Sequence, residues 1–143
     1  MGIRLKIEGV DNISLDEHSI KTCVFMTDTP DDSNARSTDV VTTIKLTGKI
    51  LTAVDGTHVD DTHKIAKWSM VRAEMADSYR RVTVEILSAS QVVRRYHLPN
   101  AFLVDYDERF GHEEGSGEFS LTVRQKKDLF DLSTIEGGYE LQA

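Results

Sequence analysis

The amino-acid sequence predicts a mainly β fold, an antiparallel two-sheet barrel or sandwich with one flanking α-helix. Hydrophobic and polar residues alternate over most of the 143 residues, which is the pattern of strands with one buried face. A single segment shows helical spacing of its hydrophobic residues instead. The alternating segments amount to roughly eight strands, and long antiparallel strands protect their edges by closing into a barrel or packing as a sandwich.

Three strands are predicted before the helix, over 3–8, 18–27 and 38–49. In the third strand, Gly48 falls in step with the hydrophobic side of the alternation. A glycine inside a strand indicates a bulge or the close approach of another backbone. We therefore expect one of these two features at Gly48.

The segment from Asp28 to Ser37, between the second and third strands, shows no periodicity. Pro30 and several turn-forming residues predict an exposed loop. Because the loop is too long for a tight hairpin, we expect it to contact a packing partner outside the fold. The candidate interface residues are Asp28, Thr29, Pro30, Asp31, Asp32, Ser33, Asn34, Ala35 and Arg36.

The predicted helix covers about residues 61–76. Its hydrophobic residues recur at intervals of three, three and four, which places them along one stripe of a helix. Asp60, Asp61 and Thr62 stand where an N-cap and negative charge are favourable. We expect the helix to lie across the sheet or the barrel opening, with a buried stripe of Ile65, Trp68, Val71 and Met75.

After the helix, strands are predicted over 81–88 and 92–98, and a long hairpin follows with its Gly-rich turn at 111–117. Gly137 and Gly138 predict a bend before the last residues, among them Tyr139 and Leu141. In the hairpin we expect each set of alternating hydrophobic residues to share one buried face. The sets are Phe102, Val104, Tyr106 and Phe110 on the first strand, and Phe119, Leu121 and Val123 on the second.

Length and composition limit the class of protein. The chain fits a single domain, 1–143, and no stretch approaches the ~18 apolar residues that cross a bilayer, so we expect no membrane insertion. The amino terminus alternates like a strand and not like a signal peptide, so we expect folding in the cytoplasm. The net charge of −7, from 24 acidic and 17 basic residues, argues against free nucleic-acid binding.

The sequence presents no catalytic or metal-binding motif, and we expect neither an enzyme nor a cofactor. Cys23 is the only cysteine, which excludes an intrachain disulfide and a multi-cysteine zinc site. The segment from His58 to His63 holds two imidazoles and two carboxylates, but its spacing matches no metal motif of known geometry. The segment from Asp105 lacks the acceptor and the glycine of a calcium loop, and no serine lies in a nucleophile elbow.

Basic residues cluster at Arg80–Arg81, at Arg94–Arg95 and from Arg124 to Lys127. Because each cluster lies in or beside a predicted strand, one interpretation is a solvated sheet face. The other interpretation is a surface for an acidic partner, including acidic patches on copies of the same chain. The candidate basic interface strand carries Arg124, Lys126 and Lys127.

The order of these segments resembles that of the tube proteins of contractile injection systems. The resemblance rests on a polar loop ending in STDVV, a helix containing KIAKW, and the strands LPNAFLVDYDERF and GEFSLTVRQKKD. Phage tail tubes, the haemolysin-coregulated proteins (Hcp) of type VI secretion and the tubes of phage-tail-like particles share this order. Their fold is a barrel of two antiparallel sheets with a helix at its side.

The resemblance implies a structural protein whose function is self-assembly. Such proteins assemble in the cytoplasm into six-membered rings, which stack into a hollow tube within a phage tail or a secreted injection particle. The implied partners are further copies of the chain, sheath and baseplate proteins, and cargo or DNA passing through the lumen. The loop from Asp28 would reach an adjacent ring. Candidates for the wet lumenal face are Thr42, Thr43, Lys45, Thr83, Glu85, Ser120, Thr122 and Arg124.

Two other classes of protein agree less well with the sequence. A small-ligand-binding β-barrel or sandwich module needs an apolar interior cavity, whereas the alternating hydrophobic residues suffice to fill a barrel. A small hydrolase needs a nucleophile activated by a base, and the sequence presents no such arrangement.

Overall fold

The computed structural model describes residues 1–28, 41–51, 61–112, 117–126 and 133–138. The predictions for His58, Lys127, Tyr139 and Leu141, and for the interface loop beyond Asp28, lie outside these residues. Within the described ranges, no helix is long and apolar enough to cross a membrane.

The described part of the chain contains eight strands and one α-helix. The mainly β fold with a single α-helix, predicted from the sequence, is confirmed. A short 3₁₀ turn, Ala76–Ser78, precedes the fifth strand. In chain order the elements are β1 (Gly2–Glu8), β2 (Ile13–Leu15), β3 (Ile20–Asp28), β4 (Val41–Ile50), α1 (Thr62–Ser69), β5 (Tyr79–Ser88), β6 (Gln91–Arg109), β7 (Gly117–Gln125) and β8 (Thr134–Gly137).

The strands pair antiparallel in the order β2-β1-β5-β6-β7-β4-β3, and β8 pairs with β6. The long strand β6 belongs to both halves of the sheet. It pairs with β5 from Gln91 to Phe102 and with β8 from Arg94 to His97, and its part from Ala101 to Arg109 pairs with β7. The sheet curls so that β1 contacts β3 and the ring of Phe25 stacks on Tyr96, with 4.5 Å between centroids. The predicted antiparallel β fold is therefore confirmed, and its strands form one continuous sheet that curls on itself.

Hydrophobic side chains from both halves of the sheet and from α1 fill the interior. In β1, β4 and β7 buried residues recur at every second position, as the alternation predicted. Burial of each aliphatic side chain stabilises the fold by about 1.5–3 kcal/mol. Among the most deeply buried hydrophobic residues are Leu5, Ile7, Ile13, Ile44, Leu46, Ile65, Trp68, Val82, Val84, Leu98, Ala101, Leu121 and Val123.

The strand β6 contains three bulges, at Val93, at Pro99 and Asn100, and at Val104, and the middle one contains a proline. Pro99 and Asn100 together lie opposite the single residue Arg81 of β5. Proline cannot donate to a strand ladder, and a bulge is a position where a strand tolerates it. The sequence analysis divided this region into two strands at Leu98, whereas the structure has one continuous strand, Gln91–Arg109.

The last bulge of β6 lies at Val104, which has no opposite residue in β7. An inserted residue moves the following side chains to the other face of a strand. Tyr106 therefore packs against the core, while Phe102 pairs with an outward-facing residue and Phe110 is 68% exposed beyond the strand end. The prediction that these four residues share one buried face was wrong.

Gly48 lies where the backbone before β3 passes over β4. A Cβ atom at this position would overlap the carbonyl oxygen of Ser19 and the ring of Phe119. The backbone N–H of Lys49 donates to the same Ser19 oxygen, with 2.6 Å between nitrogen and oxygen. The close backbone approach predicted at Gly48 is therefore confirmed, and it leaves no space for a side chain.

The helix α1 is shorter than predicted and ends at Ser69. Ile65 and Trp68 are buried, and Val71 packs partly buried against the core just after the helix. The chain then turns back, so that the indole N–H of Trp68 donates to the carbonyl oxygen of Ser78 at 3.1 Å. Met75 lies in this returning segment and is 55% exposed, so its expected place in the buried stripe was wrong.

The start of α1 is tied to β2 through Asp61. Asp61 is the N-cap residue, but its side chain makes no capping hydrogen bond. Its carboxylate instead accepts a hydrogen bond from the backbone N–H of Ser14 at 2.8 Å and lies 3.3 Å from the ammonium of Lys64. The acidic residue that the sequence suggested as a cap therefore positions the helix against the sheet.

Candidate functional site

The outer surface of β3, β4, β7 and the second part of β6 carries polar side chains in rows. The strand registers place Thr47 beside Ser120 and Lys45 beside Thr122. We call this surface the polar face, and it lies on the side of the sheet opposite the core. Its described members are Lys21, Thr22, Val24, Met26, Asp28, Val41, Thr43, Lys45, Thr47, Lys49, Phe102, Asp105, Asp107, Arg109, Glu118, Ser120, Thr122 and Arg124.

Contacts between side chains connect neighbouring strands of the polar face. The ammonium of Lys21 lies 3.2 Å from the Glu118 carboxylate, so it bridges the edge strand β3 and the strand β7. The guanidinium of Arg124 donates to the hydroxyl of Thr43, with 3.2 Å between Nε and Oγ1. Many polar groups of this face are thus partnered within the face itself.

The charges on the polar face nearly cancel. It carries the basic residues Lys21, Lys45, Lys49, Arg109 and Arg124, against the acidic residues Asp28, Asp105, Asp107 and Glu118. The whole chain, in contrast, has a net charge of −7. Because the two signs are interspersed, this face exerts no strong net field on a nearby polyanion or polycation.

Most of the side chains predicted to be wet lie on outer surfaces of the sheet. Thr42 is the exception, because it is 2% exposed and has the same parity as the core residue Ile44. Thr43 lies on the polar face but is only 6% exposed, covered by Arg124. The others lie on the polar face or on the outer surface of β5, namely Lys45, Ser120, Thr122, Arg124, Thr83 and Glu85.

The basic residues at the end of β7 have different surroundings. Arg124 belongs to the polar face, whereas Lys126 follows the strand and places its ammonium 5.2 Å from the centroid of the Tyr79 ring. Tyr79, Phe102 and Arg124 are neighbours in one row across β5, β6 and β7. Arg124 and Lys126 therefore extend a surface row that combines aromatic rings with positive charge.

The interface loop leaves and re-enters the sheet at a single point. Its first residue, Asp28, is the last of β3 and pairs with Val41, the first residue of β4. The connection, 29–40, has twelve residues, where β-hairpin connections most often have about two to five. Joining these two strands therefore requires only a small part of the length of the loop.

Cys23 is half-buried on the inner side of β3. Burial raises the pKa of its thiol to about 11, so the thiol is protonated at neutral pH and is a poor nucleophile in that form. His63 is exposed in α1. Within the ranges that the structure describes, no group of three or more His, Cys, Asp or Glu side chains is placed to hold a metal ion.

Arg80 does not belong to the basic surface on which the sequence analysis placed it. The residue is 4% exposed, and its guanidinium donates to both carboxylate oxygens of Asp77, at 3.1 and 2.9 Å. The same guanidinium lies 5.2 Å from the centroid of the Trp68 ring. Arg80 can be buried because the Asp77 carboxylate neutralises its charge in place of water.

A charged cluster on β5, β6 and β8 was not predicted from the sequence. The guanidinium of Arg95 lies 2.9 Å from the Glu85 carboxylate and 2.7 Å from that of Glu136. Hydrogen bonds to Glu85 and then to Glu136 raise the pKa of Arg95 above its ordinary value. The pairing could not be foreseen because it depends on the register of three strands, one of which, β8, is only four residues long.

Comparison with solved structures identifies the class of fold. The chain is similar to Hcp1 from Flavobacterium johnsoniae, with a TM-score of 0.58 and 14% identity over 96% of this chain and 97% of that chain. It is similar to a chain of the PVC sheath–tube complex, from an extracellular contractile injection system in the extended state, with a TM-score of 0.51 and 10% identity over 94% and 88% of the two chains. No protein-family model and no curated protein matches the chain.

A third similarity is to a chain of the anti-feeding prophage cap, described as the tube-terminating cap. Its TM-score is 0.50, with 10% identity over 94% of this chain and 89% of that chain. The likenesses extend over nearly the whole chain. The protein therefore has the Hcp-like tail tube fold, as the resemblance of its segments predicted.

Proposed function

We propose that this protein is a structural subunit of the inner tube of a contractile, phage-tail-like injection system. In this role the single domain, 1–143, forms six-membered rings, and the rings stack into a hollow conduit for cargo or DNA. The observation that carries the proposal is the Hcp-like fold, which extends over 94–96% of the chain in these comparisons. The function resides in assembly, without a catalytic step or a cofactor.

The polar face supports this role because a conduit needs a wetted wall that does not retain what passes along it. Hydroxyl groups of Thr47, Ser120 and Thr122 occupy the middle strands of the face. Its charges nearly cancel, in a chain whose net charge is −7. We propose that this face lines the lumen, where a mixed-sign surface gives passing macromolecules little net attraction.

The interface loop supports stacking between rings. Its strands are already joined at the pair Asp28 and Val41, so most of its length is available for contacts outside the subunit. We propose that residues Asp28 to Arg36 contact an adjacent ring. The outer surface of the tube would then face sheath proteins, and the terminal ring would contact baseplate proteins.

Ring formation is tested by measuring the size of the purified protein. Mass photometry should give a species of six times the 16.1 kDa of one chain, and negative-stain images should show rings or tubes with a central hole. A protein that stays monomeric at micromolar concentration, and that also fails to join tubes when sheath and baseplate proteins are supplied, would contradict the proposal.

Arg124→Glu should weaken assembly at low salt, because we propose that Arg124, at the end of the polar face and beside Phe102 in the surface row, meets a neighbouring copy of a chain whose net charge is −7. The difference from the wild type should shrink as salt is added, since the Debye length falls to ~8 Å at physiological ionic strength. The measurement is a salt titration of the assembled fraction, followed by light scattering.

The matched control for this variant is Lys6→Glu, which makes the same charge change on β1, where the side chain is 64% exposed. Circular dichroism checks that Arg124→Glu remains folded after loss of its bond to Thr43. If Arg124→Glu and the wild type assemble equally at low and at high salt, the electrostatic contribution of Arg124 is disproved.

A further inference from the structure

A small cavity, which we call the aromatic pocket, lies beside α1 where β5 begins. Its volume is about 200 Å³, and a cavity of ~150 Å³ is sufficient for a benzene molecule. Two serines, Ser69 and Ser78, contribute polar lining, but each hydroxyl group already donates to a backbone carbonyl oxygen. The rest of the lining is hydrophobic or aromatic and consists of Trp68, Val71, Ala73, Tyr79, Phe102 and Leu103.

An exposed aromatic side chain, Phe110, lies at the other end of the strand that contributes Phe102. Phe110 directly follows the last residue of β6 and is 68% exposed. The eight residues from Phe102 to Phe110 correspond to roughly 25 Å of strand. The phenyl group lies over Gly117, where a Cβ atom would be only 2.5 Å from it. The glycine therefore lets the phenyl group rest on the backbone of β7 while much of it stays in water.

The pocket and Phe110 are too far apart to meet within one chain. A contact between two different patches of identical copies is heterologous, and it repeats without closing when the copies are stacked. The pocket lies at the same end of the sheet as the start of the interface loop, because Val41 is two residues before Thr43, which lies opposite Arg124. This end of the subunit thus differs from the Phe110 end, as stacking in one direction requires.

The rim of the pocket nearest β7 is positively charged. Lys126 places its ammonium 5.2 Å from the centroid of the Tyr79 ring, and Arg124 lies opposite Phe102. The nearby carboxylate of Asp77 is already bound by a buried guanidinium. An aromatic side chain accompanied by carboxylates would therefore match both the lining and the charge of this rim.

The strand end before Phe110 carries more negative than positive charge. Asp107 and Glu108 precede it in β6, and Arg109 lies opposite Glu118 of β7. The Glu118 carboxylate also lies 3.2 Å from the ammonium of Lys21. Among the described residues of this end, three carboxylates thus stand against two basic side chains, so its charge is opposite to that of the pocket rim.

We propose that Phe110 of one copy enters the aromatic pocket of a second copy in the adjacent ring. The inference rests on the proposed tube function and names a contact that stacks one ring on the next. A buried aromatic side chain in a fitted pocket is the usual anchor of an interface. In this arrangement, Glu108 and Asp107 of one copy approach Arg124 and Lys126 of the other.

The contact is tested by photo-crosslinking from position 110. Phe110 is replaced by the photoreactive residue p-benzoylphenylalanine, and chains labelled with ¹⁵N are mixed with unlabelled chains so that mass spectrometry distinguishes links between chains from links within one. We expect links between chains, from position 110 to residues 68–79 or 102–103. Links that lie only within one chain or reach other surfaces, or a lack of links between chains, would overturn the inference.

Two variants test the same contact without a photoreactive group. Phe110→Ala removes the anchor, and Ala73→Phe fills the pocket from an exposed lining position. Each should raise the protein concentration at which rings stack by at least about thirtyfold, the equivalent of one anchor of about 2 kcal/mol. Ile135→Ala, at a residue that is 56% exposed on β8, should stack like the wild type.

An equal mixture of rings of the two variants distinguishes this contact from a general loss of stacking. Intact pockets of Phe110→Ala copies remain available to Phe110 of Ala73→Phe copies, so pairs of rings should form but no longer stacks. Circular dichroism checks that both variants are folded. Wild-type stacking by either variant, or a mixture without pairs, would contradict the inference.

Mass photometry of the same samples separates this inference from the proposed function. Rings that form and stack without links from position 110 to the pocket would overturn the inference and leave the tube function standing. A sample without rings would contradict the tube function, while links to the pocket in that sample would still support the contact between copies.

Discussion

Replacing Trp68 with alanine should lower the free energy of unfolding by about 3–5 kcal/mol, as other large-to-small changes in cores do. Trp68 is 2% exposed and joins α1 to the sheet. The substitution removes the indole packing, the hydrogen bond to the Ser78 carbonyl at 3.1 Å and the ring beneath the buried guanidinium of Arg80. The measurement is urea denaturation followed by circular dichroism, which does not depend on tryptophan fluorescence.

Met70→Ala is the control for this prediction. Met70 follows α1 directly but is 83% exposed, so its replacement should change the free energy of unfolding by no more than about 0.5 kcal/mol. A loss below about 1 kcal/mol for Trp68→Ala would contradict its place in the core. An emission maximum of the native wild-type protein typical of a tryptophan in water would also contradict the burial of Trp68.

Deletion of Asp31 to Ala35 should abolish the stacking of rings while leaving each subunit folded. The strands on both sides of the deletion remain paired at Asp28 and Val41, and the seven residues that are left still exceed the usual connection of about two to five. The measurement compares tube length in negative-stain images with the mass of the free ring.

A variant in which Asp31 to Ala35 are replaced by five Gly and Ser residues distinguishes the contribution of loop length from that of the loop side chains. If it stacks, loop length is sufficient, and if it does not, the side chains make the contacts. Tubes of normal length from the deletion variant would show that this loop is not required for stacking. The proposal that the protein forms rings would remain untouched by that result.

The alternation of hydrophobic residues predicted most of the sheet because the same physical rule governs each regular strand. Phe119, Leu121 and Val123 are all buried, as expected. The rule failed at Val104, where one inserted residue changes which side chains face the core. The sequence contains no sign of this bulge. Phe102 and Tyr106 are four residues apart, which predicts a shared face in a regular strand, and the inserted residue places them on opposite faces without changing that spacing.

The end of α1 was overestimated for a related reason. Met75 continues the helical spacing of Ile65, Trp68 and Val71, and nothing local in the sequence terminates the helix before it. The helix ends at Ser69, and the backbone then returns so that the Trp68 indole makes a tertiary contact with Ser78. A tertiary contact of this kind overrides the weak intrinsic preference of the sequence for a helix.

The polar face was predicted in part, because its hydroxyl and charged residues alternate with core residues in β4 and β7. The clusters around Arg80 and Arg95 were not predicted, although all of their residues are visible in the sequence. The buried guanidinium of Arg80 binds the partly exposed Asp77, and Arg95 binds carboxylates on two neighbouring strands. Whether two adjacent basic residues in a strand are exposed or paired with carboxylates can therefore be predicted only when the register of the sheet is known.

The pairing of Asp28 with Val41 also makes the length of the loop independent of the structure of the sheet. Because the strands are closed before the loop begins, changes of loop length leave the sheet and its core unaltered. Doubling the length of a flexible loop costs only about 0.6 kcal/mol of closure entropy. The segment can therefore be lengthened, shortened or replaced while the barrel stays the same.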